Sequence, residues 1–131
     1  MKSQIKLIGN PNLDRILSKK KNLKQNSNTV LLLTTGPRNQ HSVGNHVPTW
    51  NEYEELIESL CSSISKSKLN LIIKRHPDIA ENDFSTKFYK KLSDIQIFKS
   101  GDVSDLIMDS KLVVSVGVSS GILESQVVEK P

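Results

Sequence analysis

The stretch LVVSVGVSSG at residues 112–121 decides how this chain folds. Its first five residues are mostly aliphatic, which predicts a buried strand, and its last five are small or hydroxyl-bearing, which predicts a loop. Helix-forming residues follow. In parallel α/β proteins, a strand that runs through such a loop into a helix presents free backbone N–H groups and the helix dipole to an anion. The stretch therefore predicts a phosphate-binding turn.

Strand and helix patterns alternate from residue 29 onward. Short aliphatic or β-branched runs predict four strands, at residues 29–33, 69–73, 95–98 and 112–116. Thr49-Trp50-Asn51-Glu52 is a capping box, and apolar residues at three-four spacing follow it, which predicts a long helix. Further helices are predicted from about Asp83, around residues 103–107 and after Ser119. The alternation predicts an α/β fold with a doubly wound parallel sheet.

Residues 1–28 differ in composition from the rest of the chain. They hold seven Lys or Arg and one Asp, whereas residues 29–131 are mildly acidic. The pattern predicts a lead-in strand and helix, followed by a basic, polar connector that includes Lys19-Lys20-Lys21. No aromatic residue is interleaved for base stacking, so a nucleic-acid groove is not predicted, whereas peripheral contact with an anionic membrane surface stays open. The domain proper is predicted at residues 29–131, truncated because no strand follows its last helix.

The composition excludes several classes of protein. With 131 residues, of which 24% are charged and 36% hydrophobic, the chain is expected to form one globular domain. It contains neither an apolar run of the roughly 20 residues that span a bilayer nor a secretory leader, which predicts a cytoplasmic protein. Cys61 cannot form an internal disulfide. His41 and His46 have no nearby carboxylate or thiol, so no metal site is predicted.

Three loops follow predicted strands and would open on one rim of a parallel sheet. They would bring together Arg38, His76 and the group Ser119, Ser120 and Gly121. Because Pro77 holds His76 in an extended conformation, the imidazole is expected at the rim, where it can donate a hydrogen bond to a phosphate oxygen. Hydroxyls and free N–H groups at a helix start also suit phosphate.

Each of these residues also has a simpler interpretation. His76 fits an ordinary loop histidine, and Ser119 or Ser120 fits a helix N-cap. Glu124 in the following helix either serves the helix dipole or accepts hydrogen bonds from ribose hydroxyls. Residues 117–121 also match the Gly-x-Ser-x-Gly nucleophile elbow, but such hydrolases place the acid and histidine after the serine, and the chain has neither Asp nor His beyond Ser119.

The motifs Arg75-His76-Pro77 and Ser119-Ser120-Gly121, with Glu124 and Lys130-Pro131 after them, carry a family resemblance. Residues 29–131 resemble the Rossmann-like, donor-binding C-terminal half of a GT-B glycosyltransferase of bacterial capsular or other surface polysaccharide synthesis. In the polysialyltransferase-like, Kdo and glycerophosphate transferase relatives, a His-Pro motif and a serine pair contact the donor phosphate. The resemblance implies that role for His76, Ser119 and Ser120.

The resemblance also implies a substrate and a missing partner. The substrate would be a nucleotide-activated sugar, with no separate cofactor, and the catalytic residues would lie in an absent N-terminal acceptor domain. Non-hydrolysing UDP-N-acetylglucosamine 2-epimerases share the architecture, and Gly9-Asn10-Pro11 with Asp14 is similar to the segment that introduces their second domain. Their final loop, however, is of an Asp-Ser-Gly-Gly type. An epimerase domain and a noncatalytic Rossmann-like binding domain remain the alternatives.

Overall fold

The computed structural model describes residues 9–20, 27–36, 49–77, 88, 90, 92, 94–117 and 119–131. Its strands are β1 (Thr29–Thr34), β2 (Asn70–Arg75), β3 (Gln96–Phe98) and β4 (Leu112–Val116). Its helices are α1 (Pro11–Lys20), α2 (Trp50–Lys66), α3 (Val103–Asp109) and α4 (Ser120–Val127). The helix predicted from Asp83 lies largely outside the described residues. All four strands are parallel and follow the order β3-β2-β1-β4, which confirms the predicted α/β fold.

The central strand β1 is buried on both sides. Leu32 packs into an apolar cluster with Tyr53 and Ile57 of α2, whereas Leu31 and Leu33 pack into a second cluster on the other face. Successive side chains of a strand point to opposite faces, so a continuous apolar run suits a strand covered by two layers. This explains why residues 29–34 form the middle of the sheet.

Helix α2 begins at the predicted capping box. The Thr49 N–H donates to Glu52 Oε2 at 2.7 Å, and the Glu52 N–H donates back to Thr49 Oγ1 at 3.3 Å. The buried stripe is narrower than its spacing predicts, because Leu56 is exposed while Tyr53 and Ile57 are buried. None of the described helices is long and apolar enough to cross a membrane.

Helix α1 packs against the sheet and against the end of α4. Ile16 is fully buried in the second apolar cluster, with residues of β1, α3 and the end of α4. Lys19 and Lys20, which the sequence placed in a solvated connector, belong to this helix and pair with carboxylates of Asp102, Asp105 and Glu129. Lys19 and Lys20 therefore link α1 to the rest of the domain by ion pairs.

Candidate anion-binding site

A cavity of about 370 Å³ opens at the carboxyl ends of the strands. It is lined by the ends of β1 and β2 and by the residues that open α3 and α4, among them Arg75, His76, Asp102, Ser119, Ser120 and Gly121. The chain continues from β1 to β2 and β3 on one side, while β4 lies on the other. The cavity therefore lies at the switch point between β1 and β4, where sheets of this type bind ligands.

Strand register places the His76 loop and the serine loop on either side of β1. Thr34 pairs with Arg75 of β2 and with Val116 of β4, and the His76 N–H donates to the Thr34 carbonyl at 2.9 Å. Neighbouring strands are about 4.8 Å apart, so the two flanking loops start roughly 10 Å apart. A ligand group above the end of β1 would meet both loops.

The loops at this rim turn sharply and are tied to one another. Three of the strands are followed by a glycine with positive φ, a conformation that other residues rarely adopt: Gly36 (72°), Gly101 (98°) and Gly117 (98°). Thr35 Oγ1 donates to the Val116 carbonyl at 2.9 Å, which joins the ends of β1 and β4. The Tyr53 hydroxyl accepts the Gly36 N–H at 3.1 Å. These bonds tie the end of β1 to β4 and to α2.

Ser119 is the N-cap of α4. Its Oγ accepts the Gly121 N–H at 3.2 Å, and the hydroxyl proton remains available to donate elsewhere. Its φ and ψ of −135° and 138° are ordinary extended values. A nucleophile elbow holds its serine on a strained turn, so the hydrolase interpretation has no support in this geometry. Ser120, the first helical residue, is exposed at the cavity.

Gly121 allows α4 to approach the sheet closely. A Cβ at this position would lie 2.5 Å from Leu33 Cδ1, well inside the contact distance. Its N–H is bonded to Ser119 Oγ, as described above. Gly121 therefore lines the cavity chiefly by letting the helix start next to β1.

Two basic residues at the end of β2 have different roles. Successive strand residues point to opposite sides, so at most one of Lys74 and Arg75 is expected to face a ligand. Both line the cavity, but Lys74 Nζ donates to the carbonyls of Arg75 and Lys99, at 3.1 and 3.3 Å. Arg75 is only 2% exposed and brings a buried positive charge to the wall. The sequence pattern alone did not distinguish the two.

Asp102 is a cavity residue that sequence reasoning missed. It caps α3 by accepting the Ser104 N–H on Oδ1 at 3.0 Å, while Oδ2 accepts from Arg15 Nη1 at 2.6 Å and Lys19 Nζ at 3.2 Å. Hydrogen bonds from Arg15, and then from Ser104 and Lys19, hold the pKa of this carboxyl well below its usual range. The signal available in the sequence was an acidic N-cap directly after Gly101 at a strand end.

The remaining predicted site residues lie elsewhere. Arg38 is outside the described residues. Glu124 does not line the cavity, and its Oε2 accepts a hydrogen bond from Ser104 Oγ at 3.2 Å. Because the Ser104 N–H is bonded to Asp102, Glu124 is linked to the cavity wall through one residue. Its proposed contact with ribose stays a prediction.

A larger cavity, of about 560 Å³, lies at the opposite edge of the sheet. It is lined by the end of α2 and the residues entering β2 and β3, including Cys61, whose thiol pKa is raised by burial. Parallel α/β sheets bind their ligands at the carboxyl ends of the strands, so the smaller cavity is the better candidate. No group of three metal-ligating side chains occurs within the described ranges.

Comparisons with protein-family models, with curated proteins and with solved structures find no significant match. The candidate function therefore depends on the fold and on the chemistry of the cavity.

Proposed function

We propose that this chain binds the phosphate part of a nucleotide-activated sugar, as the donor-binding domain of a GT-B-type glycosyltransferase of cell-surface polysaccharide synthesis. One observation carries the proposal: His76 and the pair Ser119 and Ser120 line a single cavity at the switch point of a parallel sheet. The resemblance of the two motifs to donor-phosphate motifs is consistent with that arrangement.

The cavity offers the donors that a phosphate needs. The His76 imidazole and the hydroxyls of Ser119 and Ser120 can each donate a hydrogen bond to a phosphate oxygen. The amino end of the eight-residue helix α4 adds roughly half a positive charge. Hydrogen bonds from charged or polarised donors to phosphate are about twice as strong as neutral ones.

In a glycosyl transfer these contacts would act on the leaving group. When the bond between the sugar and the phosphate breaks, negative charge develops on the departing nucleotide, and fixed donors stabilise that charge more strongly than they stabilise the ground state. The residues of this chain would bind and orient the donor. The residues that bind the acceptor and the base that deprotonates it would lie outside this chain. The chain alone is expected to bind a nucleotide without turnover.

Calorimetric titration with CMP, CDP and UDP tests the proposal. Ser120→Ala and His76→Ala should each weaken binding by about tenfold, the loss expected for one charge-assisted hydrogen bond. His76→Gln, which keeps an N–H donor, should lose less. Ser59→Ala, an exposed serine of α2 away from this cavity, is the matched control and should bind as the wild type does. Cytidine preference would favour a sialyl, Kdo or glycerophosphate transferase.

The N-cap bond of Ser119 favours a second candidate, a noncatalytic domain in which the rim residues are structural. Absence of binding to all three nucleotides would support that candidate and overturn the proposal. Preference for UDP would fit both a transferase domain and an epimerase domain. For a protein that also contains the acceptor domain, release of nucleotide only when an acceptor is present would exclude the epimerase.

A further inference from the structure

We infer that Asp102 accepts a hydrogen bond from a sugar hydroxyl of the bound ligand and thereby selects for it. The hydroxyl belongs either to the ribose of the nucleotide or to the sugar attached to it, since both present the same chemistry. This inference rests on the proposed nucleotide-sugar function and adds a specificity-determining residue to that site.

The hydrogen bonds of Asp102 leave one acceptor position open. An ionised carboxylate has about four lone-pair sites. Oδ2 uses its two for Arg15 and Lys19, whereas Oδ1 uses one for the Ser104 N–H. The side chain is 34% exposed and lines the cavity, so a ligand there can reach the carboxylate.

The charges around Asp102 favour a neutral donor over a cation. Arg15 and Lys19 already place two positive groups on one carboxylate, and Lys19 also reaches Asp105 Oδ1 at 2.6 Å. A further cation would add repulsion, while a hydroxyl adds a hydrogen bond without adding charge. The same two basic residues compensate the negative charge that would otherwise repel a phosphate in this cavity. A carboxylate and a phosphate can therefore share one site.

Asp102 is also held in position for this contact. Its two oxygens are bonded to α1 on one side and to the first turn of α3 on the other. A hydroxyl donor would meet a carboxylate that is already oriented, so the ligand need not order the side chain itself. Helix α1 would thus contribute to specificity without lining the cavity.

Titration of paired ligands tests the inference. The nucleotide that the wild type binds is compared with its 2′-deoxy and 3′-deoxy forms, which test the ribose, and with its nucleotide sugar, which tests the attached sugar. In the wild type we expect one hydroxyl to contribute about tenfold in affinity, as hydrogen bonds to charged groups do. Asp102→Ser keeps an N-cap oxygen but removes the carboxylate, so that tenfold difference should disappear.

Asp105→Ser provides the matched control. Asp105 also pairs with Lys19, but its side chain is 65% exposed and lies outside the cavity, so this variant should keep the wild-type ratio. Circular dichroism checks that each variant is folded. If Asp102→Ser does not fold, Asp102→Asn, which also keeps an N-cap oxygen but is neutral, should show a reduced ratio.

Two outcomes separate the failure of this inference from that of the proposed function. If Asp102→Ser and Asp102→Asn both bind nucleotide with the wild-type ratio of affinities for the paired ligands, the assignment of Asp102 is overturned. The phosphate site is then left intact. The assignment is also overturned if the wild type binds the two ligands of every pair equally well. No nucleotide binding by the wild type overturns the proposed function, and the inference falls with it.

Discussion

Gly121 lets the start of α4 lie close to Leu33 of β1, and its substitution gives a sharp stability prediction. In Gly121→Ala the new methyl group would lie 2.5 Å from Leu33 Cδ1, and Leu33 is buried in the core with little room to move. Overpacking of this kind costs about 1–3 kcal/mol, while replacing a helical glycine returns up to about 1 kcal/mol. We expect a net loss of about 1 kcal/mol in urea unfolding.

Whether the new methyl group clashes with Leu33 can be tested by making Gly121→Ala in a Leu33→Ala variant. Leu33→Ala removes the Cδ1 atom that the new methyl group would meet, although it costs stability itself. In that background Gly121→Ala should be neutral or stabilising, because only the helix preference remains. An equal cost in both backgrounds would show that the strain lies in the backbone and not in contact with Leu33.

At the level of single residues the sequence predicted positions at the rim of the sheet better than contacts between distant residues. The imidazole of His76 and the hydroxyls of Ser119 and Ser120 were predicted at the rim because each follows a strand, and all three line the cavity. Asp102 was missed because its partners Arg15 and Lys19 are more than 80 residues away in sequence. Local patterns describe which groups leave a strand end, whereas ion pairs between distant helices depend on how the helices pack.

At the scale of elements, α1 is predicted to contribute to stability through one buried side chain. Ile16 is fully buried between α1, β1 and α3, while its neighbour Leu17 is 46% exposed. Ile16→Ala should lower the free energy of unfolding by about 2–5 kcal/mol, as large-to-small substitutions in a core do. Leu17→Ala should change it by about 0.5 kcal/mol or less. Similar small effects for both would mean that α1 is not part of the cooperative unit.

The ion pairs between α1 and α3 should give the protein a stability that depends on pH. Because the folded state lowers the pKa of Asp102, the unfolded chain binds the proton more readily. The stabilisation is complete above the ordinary aspartate pKa of about 3.9 and is lost as the pH falls toward the lowered folded value. The difference in unfolding midpoint between the wild type and Asp102→Asn should therefore be constant from pH 8 to 6 and shrink below about pH 4.

Salt supplies the control for that experiment. The Arg15 and Lys19 side chains are partly exposed, so 1 M NaCl should reduce the difference at neutral pH by screening their attraction to Asp102. Asn keeps the N-cap, which separates the loss of charge from the loss of the cap. A difference that changes with neither pH nor salt would show that the ion pairs of Asp102 do not cause it.

The elements themselves followed from the sequence where local signals were strong. The capping box at Thr49 and Glu52 starts α2 as predicted, and the apolar runs form strands within one or two residues of their expected bounds. The incorporation of Lys19 and Lys20 into α1 did not follow, because a run of lysines and polar residues indicates solvent unless its acidic partners are known. Contacts between distant elements thus changed the interpretation of α1 more than that of the strands.

The architecture of the whole molecule explains why one cavity collects groups from distant parts of the chain. The parallel strands end at one rim, and the order β3-β2-β1-β4 puts the loops after β2 and β4 on either side of β1. Alternation of strands and helices predicted the parallel sheet, but it did not give the strand order. The order is what places His76 and the start of α4 on one cavity.

Binding at such a site should stabilise the whole fold by mass action, which gives a prediction that needs no knowledge of the reaction. A nucleotide at 100 times its dissociation constant should raise the free energy of unfolding of the wild type by about 2.7 kcal/mol. If His76→Ala weakens binding tenfold, the same concentration is only 10 times its dissociation constant, and the increase should be about 1.4 kcal/mol. Urea unfolding with and without nucleotide measures both values. Equal increases in the two proteins would place the nucleotide away from His76, most simply in the cavity at the opposite edge of the sheet.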